Sequence, residues 1–188
     1  MPRDGRATRD QIVSVAMRRF VDDGYDKTSL REIAEEIGVT KAALYYHFRT
    51  KEDIVATAMT AYSGRVAELA AWVTEQTASR ARDEELVDRM LGLVGSDGGM
   101  ILRFGQANPT VVARADFGAV QIDVVRVVVH AIAGDDAPPE ATLRATLAFA
   151  ALMLGSIAET PLPIGGDAAS RLAAARTIAL DLLAPLSA

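Results

Sequence analysis

An apolar seam at helical spacing constrains the fold of this chain more than any other feature. The seam recurs every three or four residues over many turns, as one face of an α-helix does. Its members are Val55, Met59, Tyr62, Val66, Leu69 and Val73. A valine-rich run at 124–129 has strand propensity, but no partner strand is visible and an isolated strand is unstable. We therefore predict an all-α fold, with enough apolar residues (50%) to bury a sizeable core.

Composition excludes most catalytic chemistry. The chain has no cysteine, so a disulfide scaffold, a thiol nucleophile and a cysteine-ligated metal are ruled out. Its two histidines, His47 and His130, are far apart in sequence, and no glycine-rich phosphate loop or other catalytic set is present. We expect no catalytic residue, no metal site and no cofactor, and hence no enzyme.

The chain also lacks the marks of secretion or membrane insertion. Its first twenty residues are polar with scattered arginines, unlike a secretory signal. The most apolar stretch, residues 147–158, is shorter than the ~20 residues that cross a bilayer. We expect a soluble cytoplasmic protein with no membrane partner.

Charge is divided unevenly along the chain. The net charge is −5, which argues against bulk binding to nucleic acid. Residues 1–53 nevertheless carry ten basic and ten acidic residues, whereas residues 54–188 carry ten arginines and fifteen acids. A local basic face near the N-terminus therefore remains possible.

The N-terminal part contains a helix-turn-helix pattern. Ser29 and Glu32 have capping-box spacing, and Gly38 ends the first short helix by allowing a sharp turn. A second short helix follows from about Lys41. Leu44 and Phe48 lie four residues apart and face the core. This leaves an outward face that can donate to DNA in the major groove, made of Lys41, Ala42, Tyr45, Tyr46 and His47.

Residues 38–54, GVTKAALYYHFRTKEDI, resemble the recognition-helix signature of the TetR family of bacterial transcriptional regulators. The likeness runs in order and spacing from Thr8 to Val55 and includes TSLREIAEEIGV. It implies a homodimer of all-α subunits. Residues 1–53 would form a three-helix DNA-binding domain that reads half of a palindromic operator in double-stranded DNA. Residues 54–188 would form a helical domain that binds a small-molecule effector and dimerises.

The resemblance also implies roles for individual residues. Lys41, Ala42 and Tyr46 match the positions that usually approach base edges. A further set matches positions that usually contact phosphates, and it comprises Thr28, Thr40, Tyr45, His47 and Lys51.

The effector site is predicted from large side chains and one polar residue. Gln121 is a lone polar group on an otherwise apolar helical face, and buried polar groups need partners. The candidate pocket residues are Trp72, Phe104, Phe117, Gln121, Phe149 and Met153. Two alternatives stay open: these residues form plain core, and Gln121 bonds to neighbouring backbone.

The last two long helices are the predicted dimer interface. The helix from Leu143 to Ala158 is apolar nearly all round, so it must be covered on two sides. Together with a stripe on the last helix it suits a four-helix interface between subunits. The predicted interface residues are Leu143, Leu147, Leu154, Leu172, Ala179 and Leu182. A large monomeric core is the alternative.

The function predicted from these features is a DNA-binding repressor that a small-molecule effector releases. A regulator of the same fold without such an effector, or one switched by a protein, is the first alternative. A small-molecule carrier or an enzyme is the alternative from another class. The operator, the regulated genes, the effector and the sign of regulation stay open.

Overall fold

The computed structural model describes residues 5–95, 99–114, 117–156 and 164–186. All regular structure within these ranges is helical, as predicted. One turn of π-helix, Phe20–Gly24, extends the first helix, and a short 3₁₀ turn, Ala184–Leu186, follows the last. The helices are α1 (Gly5–Arg19), α2 (Leu30–Ile37), α3 (Lys41–His47), α4 (Lys51–Glu75), α5 (Arg80–Leu93), α6 (Gly99–Ala107), α7 (Pro109–Arg114), α8 (Phe117–Ala133), α9 (Pro139–Ser156) and α10 (Ala168–Leu183).

Local capping residues determine where several helices begin. Ser29, Thr40 and Asp167 cap α2, α3 and α10, because each side-chain oxygen accepts a backbone N–H from the first turn. The spacing of Ser29 and Glu32 predicted the first of these caps. The sequence also predicts a cap at Asp167, directly after two loop glycines, and both caps are confirmed. The sequence suggests a helix that opens at Asp83, but Ser79 is the cap and α5 begins at Arg80, three residues before Asp83.

The chain forms two compact units. The first comprises Met1–Tyr62 with Met100–Gly118, and the second comprises Ser63–Gly99 with Ala119–Ala188. The predicted domain boundary after Asp53 lies within α4, whose first half belongs to the first unit and whose second half belongs to the second.

The core of the first unit joins α1, α2 and α3 to α6. Phe20, Ile33 and Leu44 are completely buried there. Phe104 of α6 packs beside Phe20 and Tyr25, with ring centroids 6.2 and 5.6 Å away. Aromatic pairs in this range gain attraction beyond the burial of their area. The short helices are thereby held by rings that lie far apart in sequence.

The core of the second unit is dominated by α9 packed along α10. Gly155 allows the close approach, because a Cβ there would lie 2.4 Å from the Cβ of Ala175. Ala148 and Ala179 are also buried, so small residues line the crossing.

No helix within the described ranges is long and apolar enough to cross a membrane.

Charged side chains of α5 form ion pairs within the second unit. Arg176 of α10 donates two hydrogen bonds to the carboxylate of Asp88, at 2.8 and 3.1 Å. Arg82 and Asp83 form a buried ion pair at 2.8 Å. A buried charge is tolerated when it is paired in this way.

Candidate nucleic-acid interface

Helix α2 and the turn after it are defined by hydrogen bonds at both ends. The Ser29 hydroxyl accepts the N–H of Glu32 at 3.3 Å, and the Glu32 carboxylate accepts the N–H of Ser29 at 2.7 Å. Hydrogen bonds from the Ser29 side chain and backbone lower the pKa of Glu32. Gly38 follows with φ 74°, a left-handed conformation that glycine adopts without strain. The chain can therefore reverse into α3 within a few residues.

Helix α3 has one buried and one exposed face. Leu44 is fully buried, and Phe48, just after the helix, is nearly so. Lys41 and Ala42 are exposed, as are Tyr45 (43%) and Tyr46 (86%). Since large aromatic groups are rarely left in water without a role, the exposure of Tyr46 is the most unusual feature of this surface.

Ring contacts order the exposed side chains of α3. The ring of Tyr46 lies edge-on to that of His47, with centroids 5.3 Å apart. The ammonium of Lys41 lies 5.5 Å from the centre of the Tyr45 ring, within cation–π range. His47 is half-buried. Four donor groups of three kinds, an ammonium, two phenols and an imidazole, are thus grouped on a seven-residue helix.

The start of α4 adjoins this surface in sequence and carries Lys51. The Thr50 hydroxyl accepts the N–H of Asp53, and the Asp53 carboxylate accepts the N–H of Thr50, at 3.1 and 3.0 Å. The spacing of Thr50 and Asp53 in the sequence predicts such a cap, and the two hydrogen bonds confirm it. The first N–H groups of such a helix and its dipole favour a nearby anion.

Tyr25 anchors Lys51 and was not singled out from the sequence. The Lys51 ammonium donates to the Tyr25 carbonyl at 2.6 Å and lies 4.3 Å from the centre of the Tyr25 ring. Burial raises the pKa of Tyr25, with a further contribution from the nearby Glu52 carboxylate. The aromatic residue directly after Gly24 was the available sequence signal, but its partner is too far along the chain to be read from spacing.

Thr28 differs from the other predicted phosphate contacts, which are exposed or half-buried. It is buried, and its hydroxyl donates to the carbonyl of Gly24 at 2.9 Å. Its backbone N–H donates to the same carbonyl. The side chain therefore closes the turn before α2, and its one hydroxyl proton is already used.

The predicted effector residues belong to two different units. Phe104 belongs to the core of the first unit, whereas Trp72, Phe149 and Met153 are half-buried in the second. The guanidinium of Arg89 lies 4.1 Å from the centre of the Trp72 ring. The side chains of Phe117 and Gln121 lie outside the described residues.

The predicted dimer residues divide into exposed and buried sets. Leu143, Leu147, Leu154 and Leu172 are all exposed, and Leu182 is half-buried. Ala179 is completely buried within the subunit, so its side chain is not available to a second one. Ile178, which is 51% exposed, was not predicted from the sequence. The signal would have been its size, since a large apolar side chain beside a stripe of alanines needs another partner.

The fold and this surface define a class of protein. A capped α2, a left-handed glycine and a short α3 with one buried face constitute a helix-turn-helix. Residues 12–58 match the family model for bacterial regulatory proteins of the tetR family. The N-terminal part of the chain is therefore similar to the TetR family.

Comparison with curated proteins gives the same result for the N-terminal part. The chain is 45% identical over 51 residues to the HTH-type transcriptional regulator AcrR of Shigella flexneri, which is 27% of this chain and 24% of that protein. It is 44% identical over 46 residues to the negative transcriptional regulator IcaR of Staphylococcus aureus strain Newman, which is 24% of this chain and 25% of that protein. The matches thus span about a quarter of the length of these relatives.

Solved structures extend the likeness to nearly the whole fold. A transcriptional regulator from Aquifex aeolicus VF5 matches with a TM-score of 0.68 at 18% identity, covering 90% of this chain and 96% of that one. AibR, in a complex with isovaleryl coenzyme A and operator DNA, matches with a TM-score of 0.62 at 19% identity, again covering 90% and 96%. At these identities the likeness concerns the fold alone.

Proposed function

We propose that the chain is a sequence-specific DNA-binding transcriptional regulator. The observation that carries this proposal is the α3 surface, where Tyr46 is 86% exposed while Leu44 on the opposite face is fully buried. A helix that projects phenol, ammonium and imidazole groups is suited to the DNA major groove. We assign DNA binding to residues 1–53, and effector binding and dimerisation to residues 54–188.

The proposed contacts fall into two groups. Lys41, Ala42 and Tyr46 read base edges, with the Ala42 methyl limited to apolar contact. Phosphates are bound by Thr40, Tyr45, His47 and Lys51, and the anchoring of Lys51 on Tyr25 supports a fixed position for its charge. Thr28 contributes by holding the turn before α2 in place, since its hydroxyl is occupied.

Fluorescence anisotropy tests the DNA-binding proposal directly. The full chain is titrated onto the duplex just upstream of its own coding region and onto a scrambled duplex of equal length, at several salt concentrations. We expect selective binding that weakens steeply with salt, because phosphate contacts release counterions. Absence of binding to either duplex at every salt concentration would refute the proposal.

Single substitutions separate the two kinds of contact. Tyr46→Ala should weaken specific binding by about 5- to 150-fold, which corresponds to the ~1–3 kcal/mol of a base contact. The affinity for the scrambled duplex should not change. Lys51→Gln should weaken binding to both duplexes. It should also lower the slope of log affinity against log salt concentration by about one. Arg80→Ala is the matched control, because it removes an exposed charge from α5. Equal effects of Arg80→Ala and Tyr46→Ala would contradict the assignment.

We further propose that the protein is a homodimer formed through α9 and α10. Four exposed leucines and Ile178 support this, since a monomer rarely leaves so much apolar area in water. Leu147→Glu should yield monomers in sedimentation velocity. Val127→Glu is the control, because Val127 is a comparably exposed apolar residue on α8. A wild-type protein that sediments as a monomer would refute this part.

A small-molecule effector that releases the DNA is the proposed switch, with repression as the sign of regulation and the cytoplasm as the location. The complex of AibR with isovaleryl coenzyme A and operator DNA supports the idea of an effector. A regulator without such an effector is the alternative, and a thermal-shift screen of candidate ligands discriminates the two. A carrier or an enzyme is the alternative from another class.

A further inference from the structure

An open groove of about 610 Å³ lies within the second unit, between the last turns of α4 and of α8. Its volume is in the range of ~300–1,000 Å³ that is typical of small-molecule sites. None of the residues predicted for the effector site lines it. The groove is therefore a separate candidate for the effector.

The α4 wall of the groove is mostly apolar. Ala67, Ala70 and Ala71 line it at helical spacing, and the space exists because these side chains are single methyl groups. Val127 faces it from α8 and is 40% exposed. An apolar molecule lying between these walls would remove both surfaces from water, which is favourable in proportion to the area covered.

The α8 wall supplies the hydrogen-bond donors. Arg126 and His130 line the groove and lie four residues apart, on the same face of the helix. The carboxylate of Asp135 is 3.5 Å from Nδ1 of His130, so Nε2 is the ring nitrogen left to meet a ligand. The Thr74 hydroxyl, on the opposite wall, donates to the Ala71 carbonyl at 2.8 Å and has no proton left to give.

The charges of the groove select one kind of head group. A guanidinium presents paired N–H donors that match the two oxygens of a carboxylate. Asp135 at the rim would repel a second negative charge on the same ligand, which disfavours dicarboxylates and phosphates. We propose that the groove binds a monocarboxylate with an apolar body, whose head group meets Arg126 and His130 and whose body lies along the alanines of α4.

This inference rests on the proposed function, because it names the chemical class of the effector. Helix α4 lines the groove near its C-terminus and begins with Lys51, one of the proposed phosphate contacts. A ligand that prefers one position of this helix would change the affinity for the operator, and the coupling would be reciprocal.

Isothermal titration calorimetry with octanoate tests the site on the full chain, with octan-1-ol and octylammonium as neutral and cationic probes of the same length. We expect octanoate to bind in preference to both. Arg126→Gln should lower the affinity for octanoate at least about tenfold, as expected for a lost charge-assisted hydrogen bond. Ala71→Trp should abolish binding by filling the groove, and it should fold because Ala71 is exposed. Arg144→Gln, on α9, is the matched control for charge.

Several outcomes would overturn the proposal. These are no heat with millimolar octanoate, equal binding of octan-1-ol, or octanoate binding that Arg126→Gln and Ala71→Trp leave unchanged. The operator titration on the same preparations separates the two proposals. Octanoate binding that depends on Arg126, in a protein without operator binding, would refute the regulator function and retain the site. Operator binding without octanoate binding would refute the site alone.

Discussion

Replacing Gly155 by alanine tests how closely α9 and α10 are packed. The added Cβ would lie 2.4 Å from the Cβ of Ala175 and 3.1 Å from the carbonyl oxygen of Arg171. Carbon atoms in contact are normally about 3.5–4.0 Å apart. The two helices must therefore separate by roughly 1 Å or more. Neither neighbour can turn aside, because one is a methyl group and the other is helical backbone.

The expected change in stability is the difference between two opposing terms. Overpacking a core costs about 1–3 kcal/mol, and a contact with a rigid helix lies at the upper end of that range. Alanine favours a helix over glycine by about 1 kcal/mol. We therefore expect Gly155→Ala to lower the free energy of unfolding by about 2 kcal/mol. At about 2–4 °C per kcal/mol, the melting temperature falls by about 4–8 °C.

Gly64→Ala is the matched control for this prediction. Gly64 lies in the interior of α4, and an added Cβ there would meet nothing within 4 Å. Only the higher helix propensity of alanine then acts, and the melting temperature should rise by about 2–4 °C. Both variants are compared with wild type by scanning calorimetry at one protein concentration, because association changes apparent stability. A melting temperature for Gly155→Ala at or above that of wild type would refute the argument.

Three further predictions concern other parts of the fold. Phe104→Ala should lower the free energy of unfolding by about 3–5 kcal/mol in urea titrations, because it empties a buried aromatic position beside Phe20. Ser29→Ala should cost about 1 kcal/mol in the same assay, because it removes the α2 cap. The hydrogen bond from Arg176 lowers the pKa of Asp88, so the stabilisation is fully present above the usual Asp pKa of about 4 and is lost as pH falls through the lowered value. The pair is exposed and contributes at most about 1 kcal/mol, so Asp88→Asn should melt below wild type at neutral pH and level with it in acid. A difference in melting temperature between Asp88→Asn and wild type that persists in acid would contradict the last prediction.

Features that depend on neighbours in sequence could be predicted for this chain. The capping box at Ser29, the left-handed Gly38 and the caps at Thr50 and Asp167 each involve groups within a few residues. The two faces of α3 follow from helical spacing in the same way. Such signals are local, and sequence order alone carries them.

Contacts between distant residues could not be predicted by the same means. Phe104 has the sequence signature of any core aromatic residue, and only the folded chain brings it to Phe20 and Tyr25. The groove likewise requires α4 and α8 to be adjacent before its alanines and Arg126 form one site. Periodicity tells which residues share a face, but it does not tell what that face meets.

The two apolar faces of α9 show how side-chain size resolves part of this ambiguity. The face against α10 carries small residues such as Ala148 and Gly155, because helices that cross closely leave no room for larger ones. The leucines at 143 and 147 are too large for that crossing and remain exposed. A helix that is apolar all round therefore separates into a small-residue face, covered within the subunit, and a large-residue face, which needs a partner. By this criterion Ala179 belongs to the crossing, and Ile178, not Ala179, belongs to the proposed interface.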